Sequence, residues 1–333
     1  MARKPKSKLS PGYGEEPTEF RVIRLELRHQ PKIRRVDNFL SQHYSQFSRS
    51  YFQKLIRAGE LIVNGTPVTV SHRLQKGDVI ECKLPVLPER VTKPQPIPLD
   101  ILYEDDDIFV ICKPAGIICH PGRKDRENTL ANAFIYHMHG MTEGSHNPGI
   151  VHRLDADTTG TMVVAKNPEA HAALARQFER RTVHKEYVAL VRGRIKRRVG
   201  RIDTPIGYNP KRWGLMMVGP EARRPKPSAS VYRVLERFRD YTFVSIVLKT
   251  GRTHQIRVHF ESINHPVVAD RYYRGDLGPD PLEAVIPRLA LHAWKLRIIH
   301  PTKGGPMDFT APLPADMAAA LEHLRKERGT AGE

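Results

Sequence analysis

The chain has 333 residues, enough for two domains, and 40% of them are apolar, so a sizeable core can form. Its 54 lysines and arginines outnumber 36 acids to give a formal charge of +18; such an excess opposes compactness by self-repulsion and points to a polyanionic partner, nucleic acid or an anionic membrane. No stretch approaches the roughly 20 consecutive apolar residues of a membrane span, and Cys82, Cys112 and Cys119, an odd number without a CxxC pair, exclude a disulfide framework and a thiolate zinc site.

The first residues, MARKPKSKLSPGYGEEP, are basic and lack the apolar run of a secretory signal. Residues 1–20 are expected to be a disordered arm, and the cytoplasm is the expected compartment. Residues 21–30 alternate apolar and polar, as a strand does. From Val36 the period becomes helical, with Val36, Phe39 and Leu40 on one face and Asp37 in the first turn. Ser48 is placed to cap a second helix that carries Phe52, Leu55 and Ile56, and Gly59 to end it in the left-handed region. LIVNGTPVTV then signals a hairpin through its Asn-Gly pair, and QKGDVIECKL a further turn and strand. This unit carries Arg34, Arg35, Arg49, Lys54, Arg57 and Arg73 on or beside its helices, candidate contacts to a nucleic-acid backbone.

Residues 85–99, PVLPERVTKPQPIPL, are proline-rich without periodicity and are expected to form a semi-rigid linker. Beyond it, ILYEDDDIFVICKPAG contains two strand-like runs around an acidic segment, Glu104–Asp107. A turn explains that segment better than a metal site, since no later carboxylate cluster completes an octahedral set. His137, His139 and His146 lie close in sequence, but nothing organises them into a ligand motif, and they are expected to be loop residues.

Residues 149–167, GIVHRLDADTTGTMVVAKN, enter as a strand (149–151), leave as another (161–166) and place a polar connection between them. Asp155 and Asp157 lie there beside His152 and Arg153. Residue types alone leave three chemistries open: paired carboxylates as acid and base, a metal held with His152, or one aspartate attacking an electrophilic carbon with an arginine to hold it.

RRVDNFL, SRSYFQKLIRAGELIVNG and LQKGDVI together resemble the small α-L RNA-binding domain first named from a ribosomal protein of the small subunit, over residues 33–84. HRLDADTTGTMVVAK resembles the central motif of the pseudouridine synthases, in the branch that carries HRLD (the RluA-type family). YEDDDIFVICKPAG, HKEYVALVRG, LKTGRTHQIRVHF, HPVVADRYY and LALHAWKLRIIHP match that family's other motifs in order, across about residues 100–315. Thr159 stands where the family usually has serine, which keeps a hydroxyl. Asn264 stands where glycine is usual, at a helix end where Asn tolerates the left-handed region.

The resemblance implies an α+β fold: a catalytic domain over 100–318 on a mixed, mainly antiparallel sheet with a central cleft, an α-L domain over 21–84, and a tail over 319–333. It implies isomerisation of uridine to pseudouridine in structured RNA, foremost large-subunit ribosomal RNA with transfer RNA open, by a monomeric enzyme without metal or diffusible cofactor. Asp155 is then the catalytic carboxylate, Arg257 its partner, Tyr187 the active-site tyrosine, and Arg153 the side chain that enters the RNA stack when the base is flipped out. Asp157 is left as a loop residue. Residues 176–201 hold ten lysines and arginines against two acids, expected to face phosphate near the site. A non-catalytic RNA-binding or ribosome-assembly factor is the alternative from another class. A glycosidase using Asp155 and Asp157 is a distant third.

Overall fold

The computed structural model describes residues 19–330 apart from 32, 45–46, 86–91, 123–126, 139–148 and 276. The expected N-terminal arm up to residue 18, and His139 and His146, lie outside the described residues. The chain divides into two compact units, Met1–Arg90 and Val91–Glu333.

In the first unit β1 (Phe20–Glu26) leads through α1 (Val36–His43) and α2 (Arg49–Arg57) to β2 (Leu61–Val63), β3 (Thr66–Pro67) and β4 (Val79–Pro85), an antiparallel sheet in the order β1-β4-β2-β3. The local signals act as expected. The Ser48 side chain accepts from the Tyr51 amide, satisfying an amide that the first helical turn would leave orphaned. Gly59 takes φ 73°, and Asn64 and Gly65 take φ 51° and 77° in the hairpin turn. Leu40, Phe52, Leu55, Leu61 and Ile80 close the core. Asp37 does more than favour a helix start. Its fully buried carboxylate accepts from Arg35, Arg49 (2.8 Å) and Gln53 (2.7 Å). Burial opposes its ionisation, but those donors outweigh burial and hold the carboxyl well below the usual carboxylate range.

The second unit is built on one large sheet. β5 (Ile101–Glu104), β6 (Ile108–Lys113), α3 (Leu130–His137), β7 (Thr159–Ala165), α4 (Pro168–Arg180), β8 (His184–Arg192) and β9 (Val199–Asp203) come first. A separate small antiparallel sheet follows, formed by β10 (Ile206–Tyr208), β11 (Met216–Val218) and β12 (Arg223–Lys226). Then come β13 (Ala229–Arg237), β14 (Tyr241–Leu248), α5 (Gln255–Ser262), β15 (Leu291–Ile299), β16 (Pro306–Thr310) and α6 (Ala315–Thr330). The large sheet runs β5-β6-β7-β15-β8-β14-β13-β9, with β16 also on β15. Every pair is antiparallel except β7 with β15, so the expected mixed, mainly antiparallel sheet is what the chain forms.

β6 (Ile108–Cys112) and the Met162–Ala165 half of β7 read as continuous apolar runs because both faces are covered. Phe109, Ile111, Met162 and Val164 pack under Leu130 and Phe134 of α3, while Ile108, Val110, Val163 and Ala165 pack with Ala170 and Leu174 of α4. Where β7 meets β15, Gly160 has φ 113°, and a Cβ there would overlap the Ala293 carbonyl. Only glycine allows the two strands this close.

Three expectations are corrected. The stretch 85–99 is not all linker: the Lys93 carbonyl accepts from Asn132 (2.8 Å), and Ile97 and Leu99 pack with the α3 core. Extended proline-rich backbone has no period through which to announce such packing. Residues 319–333 are not simply a tail, because α6 runs to Thr330 and buries Met317, Ala320, Leu321 and Leu324, a helical face at i, i+3, i+4 and i+7. The segment 149–151 is not a full strand. Gly149 takes φ 64°, and only a single bridge, Ile150 with Val164, joins it to β7.

Candidate active site

The loop between Ile150 and β7 lies on the sheet with its carbonyls fixed from below. Lys113, at the end of β6 and fully buried, donates from Nζ to Pro114 (2.8 Å), Ala156 (2.6 Å) and Thr158 (3.1 Å). Burial pushes its pKa down to about 8, and the three carbonyls are what let an ammonium group sit there. Thr158 donates its amide to the Asp155 carbonyl, closing a turn. On the other flank His152 stacks on Phe178 with centroids 4.5 Å apart and accepts the Val163 amide at Nε2 (3.1 Å). Burial drives its pKa down to about 3, so the ring is a neutral acceptor. The loop's rigidity therefore comes from side chains on both sides of it.

Asp155 stands in a cavity of about 590 Å³ whose walls include Tyr187 from β8 and Arg257 from α5. Arg257 Nη1 donates to Asp155 Oδ2 at 3.2 Å. The guanidinium fork itself faces elsewhere: Nε and Nη2 grip both oxygens of Asp270, at 2.6 and 2.8 Å. Arg257 is thus the partner of Asp155 through a single donor. The bidentate pairing goes to Asp270, whose Oδ1 also accepts the amides of Tyr272 and Tyr273. Burial works against the Arg257 charge, yet Asp270 and Asp155 together raise its pKa above the ordinary arginine value. Tyr273 lies under the guanidinium, 4.9 Å from its ring centroid.

Tyr187 is buried. That burial, with the Asp155 charge adding to it, lifts the phenol far above its ordinary value, so it meets a ligand as a neutral phenol with an apolar ring face. Arg153 is exposed and lines the cavity, as do Arg181, Lys185, Lys249 and Arg252. The expected basic stretch 176–201 supplies two of these, Arg181 and Lys185. Another, Arg192, is occupied by Asp280 at 2.9 Å. Such a rim suits a phosphodiester backbone. Asp157 is exposed on the same loop.

In the first unit Arg34, Lys54, Arg57 and Arg73 are exposed. Arg35 and Arg49 are half committed, their guanidinium groups resting on Asp37 with 43% and 47% of each side chain still exposed. The acidic turn behaves as a turn. Asp105 accepts the Asp107 and Ile108 amides (both 2.9 Å), while Lys303 (2.9 Å) and His300 (2.8 Å) take its other oxygen. The Thr159 hydroxyl bonds with His292 Nδ1 at 2.9 Å, and Asn264 takes φ 60°, the left-handed region expected at that helix end.

Sequence reasoning assigned no role to Asp270, Lys113, His254 or Tyr273, although each lies within a quoted motif. An aspartate next to RYY, thirteen positions beyond the arginine, carries no signal of the pairing that a hairpin turn would give.

Comparison with known proteins gives this geometry a context. Residues 107–262 match the RNA pseudouridylate synthase family model, and residues 34–80 the S4 domain model. A protein of Aquifex aeolicus described as an uncharacterised RNA pseudouridine synthase is 41% identical, covering 91% of this chain and 97% of its own. A Nitrosomonas europaea protein named ribosomal large subunit pseudouridine synthase D is 42% identical, over 87% of this chain and 84% of its own. Among solved structures, the human RNA pseudouridylate synthase domain containing 1 superposes with a TM-score of 0.54 at 29% identity, covering 68% of this chain and 95% of that one. The chain belongs to the RNA pseudouridine synthase family and carries an N-terminal S4 domain.

Proposed function

We propose that this enzyme isomerises uridine in large-subunit ribosomal RNA, with Asp155 as the reacting carboxylate. The observation that carries the assignment is Asp155 held at 3.2 Å by a buried arginine in a cavity walled by Tyr187 and rimmed with cations. The reaction breaks the N1–C1′ bond, turns the uracil, joins C5 to C1′, releases the C5 hydrogen and returns a proton to N1. The target must leave its stack for this, since those atoms are covered within a helix. In this reading Arg257 orients the carboxylate, the Tyr187 ring offers the detached uracil a flat apolar face, and the exposed Arg153 fills the vacated stack. The relative named for large-subunit ribosomal RNA supports that substrate class, and the S4 domain supports a structured RNA.

The test has two parts. Asp155→Asn should abolish pseudouridine formation while RNA binding survives; normal turnover in that variant would refute the assignment. Mapping pseudouridines in ribosomal and transfer RNA from cells with and without the gene decides the substrate. Sites lost only from transfer RNA would overturn the ribosomal reading. A non-catalytic role would show itself as full rescue of a deletion strain by Asp155→Asn.

A further inference from the structure

We propose that His254 is a positioning residue for Asp155: its Nε2–H faces the carboxylate, and Tyr273 fixes which ring nitrogen carries that proton. The inference rests on the assignment of Asp155 made above.

His254 is the N-cap of α5, with φ 54° and ψ 22°, a left-handed conformation for a side chain that makes no capping bond. Such a backbone is unfavourable for most residues with a Cβ, so something other than helix capping holds the ring there. Its Nδ1 lies 2.7 Å from the Tyr273 hydroxyl, and that hydroxyl oxygen already accepts the Met216 amide of β11 at 2.8 Å. Burial pushes the Tyr273 phenol up to about 12, so it keeps its proton. With the amide seated on the phenol oxygen, that proton is directed to Nδ1, which leaves Nε2 as the nitrogen that bears hydrogen.

Nε2 stands 4.0 Å from Asp155 Oδ1, and Arg257 Nη1 stands 3.2 Å from Oδ2. Each carboxylate oxygen thus faces its own donor. The His254 gap is longer than a hydrogen bond, as such bonds often are before a substrate closes the site. The ring is neutral: burial lowers its pKa, and Arg257 and Arg153 lower it further against the opposing charges of Asp155 and Asp270. A neutral donor orients the carboxylate without adding a full charge to the one Arg257 brings.

Two substitutions separate this role from a backbone role. Glutamine can place an amide donor near Nε2, whereas asparagine can replace only the Nδ1 side. Backbone preference runs the other way, because among residues with a Cβ asparagine is one of the most at ease in the left-handed region. The expected result is His254→Asn at least as heat-stable as His254→Gln, yet with kcat about a hundredfold below wild type, while His254→Gln stays within about tenfold of it. KM is unchanged in both. Tyr273→Phe, which frees the ring to change tautomer, should lower kcat rather than raise KM. The readout is release of tritium from C5-labelled uridine in transcribed RNA. His254→Asn turning over as fast as His254→Gln, losses that appear in KM, or wild-type kcat in Tyr273→Phe would each overturn the proposal. Asp155→Asn is run alongside. Turnover there would instead remove the assignment of Asp155 itself.

Discussion

Replacing Arg257 by alanine should unfold the catalytic unit more readily than it should if the residue served chemistry alone. The Asp270 side chain is fully buried and that of Arg257 is 9% exposed. The change removes the two contacts of 2.6 and 2.8 Å and, among the described residues, leaves Asp270 the Tyr272 and Tyr273 amides at 3.0 and 3.1 Å as its hydrogen-bond donors. Truncating one partner of a buried ion pair costs about 3–5 kcal/mol. At roughly 2–4 °C per kcal/mol for a unit of this size, Tm should fall by about 6–20 °C. Asp155→Asn loses one 3.2 Å contact from a carboxylate with 21% of its side chain in solvent, so it should cost under about 1 kcal/mol. Both variants lose turnover, but only one loses stability. Thermal denaturation followed by circular dichroism separates them, and the double variant Arg257→Ala/Asp270→Ala should recover part of the lost Tm because no unpaired charge remains. An Arg257→Ala protein melting within about 2 °C of wild type, or a double variant no better than the single, would refute the reasoning.

Lys113→Met should remove the ammonium donor shared by the carbonyls of Pro114, Ala156 and Thr158, leaving Ala156 the Gly116 amide at 3.0 Å and loosening the catalytic loop. A loss of kcat with retained RNA affinity, and faster amide exchange at 156–158, is the expected pattern. Tyr187→Phe removes only a hydroxyl, so stability should change by under about 1 kcal/mol, and any fall in kcat measures the hydroxyl's part in the reaction. His292 is fully buried, and burial lowers its pKa to about 4 from 6.5. Between those values the unfolded chain binds the extra proton, so stability is lost as pH falls from 6.5 towards 4. The urea midpoint should drop over that window, and less steeply in His292→Gln. Burial also lifts the Cys82 thiol to about 12, so a thiol reagent at pH 8 should modify it only after the S4 domain unfolds.

Much of this fold was legible because its signals are local. Ser48, Gly59 and the Asn64-Gly65 pair each act within a few residues of themselves, and each forms the cap or turn its chemistry favours. Asp155, Tyr187 and Arg257 were legible through motif resemblance, and the cleft brings all three together. What escaped was non-local or aperiodic. The attachment of Lys93 to Asn132 joins two stretches that share no pattern. The α6 face at Met317, Ala320, Leu321 and Leu324 is interrupted in sequence by Ala318 and Ala319, apolar residues that lie off it, so its period is blurred. The true partner of the Arg257 fork was hidden for a different reason: one guanidinium has donors for two carboxylates, and sequence does not say which takes the fork.

The place of β15 has a consequence for the nascent protein. That strand pairs with β7 and β8 in the middle of the sheet, and Thr159 bonds to residues 132 and 133 positions further along. The S4 domain, by contrast, draws its whole sheet from Phe20–Pro85. Synthesis from the N-terminus therefore lets the RNA-binding module fold while most of the catalytic sheet has yet to leave the ribosome. The strand that follows the Asp155 loop gains its partner only when Leu291–Ile299 emerges, so capture of RNA can precede the competence to modify it.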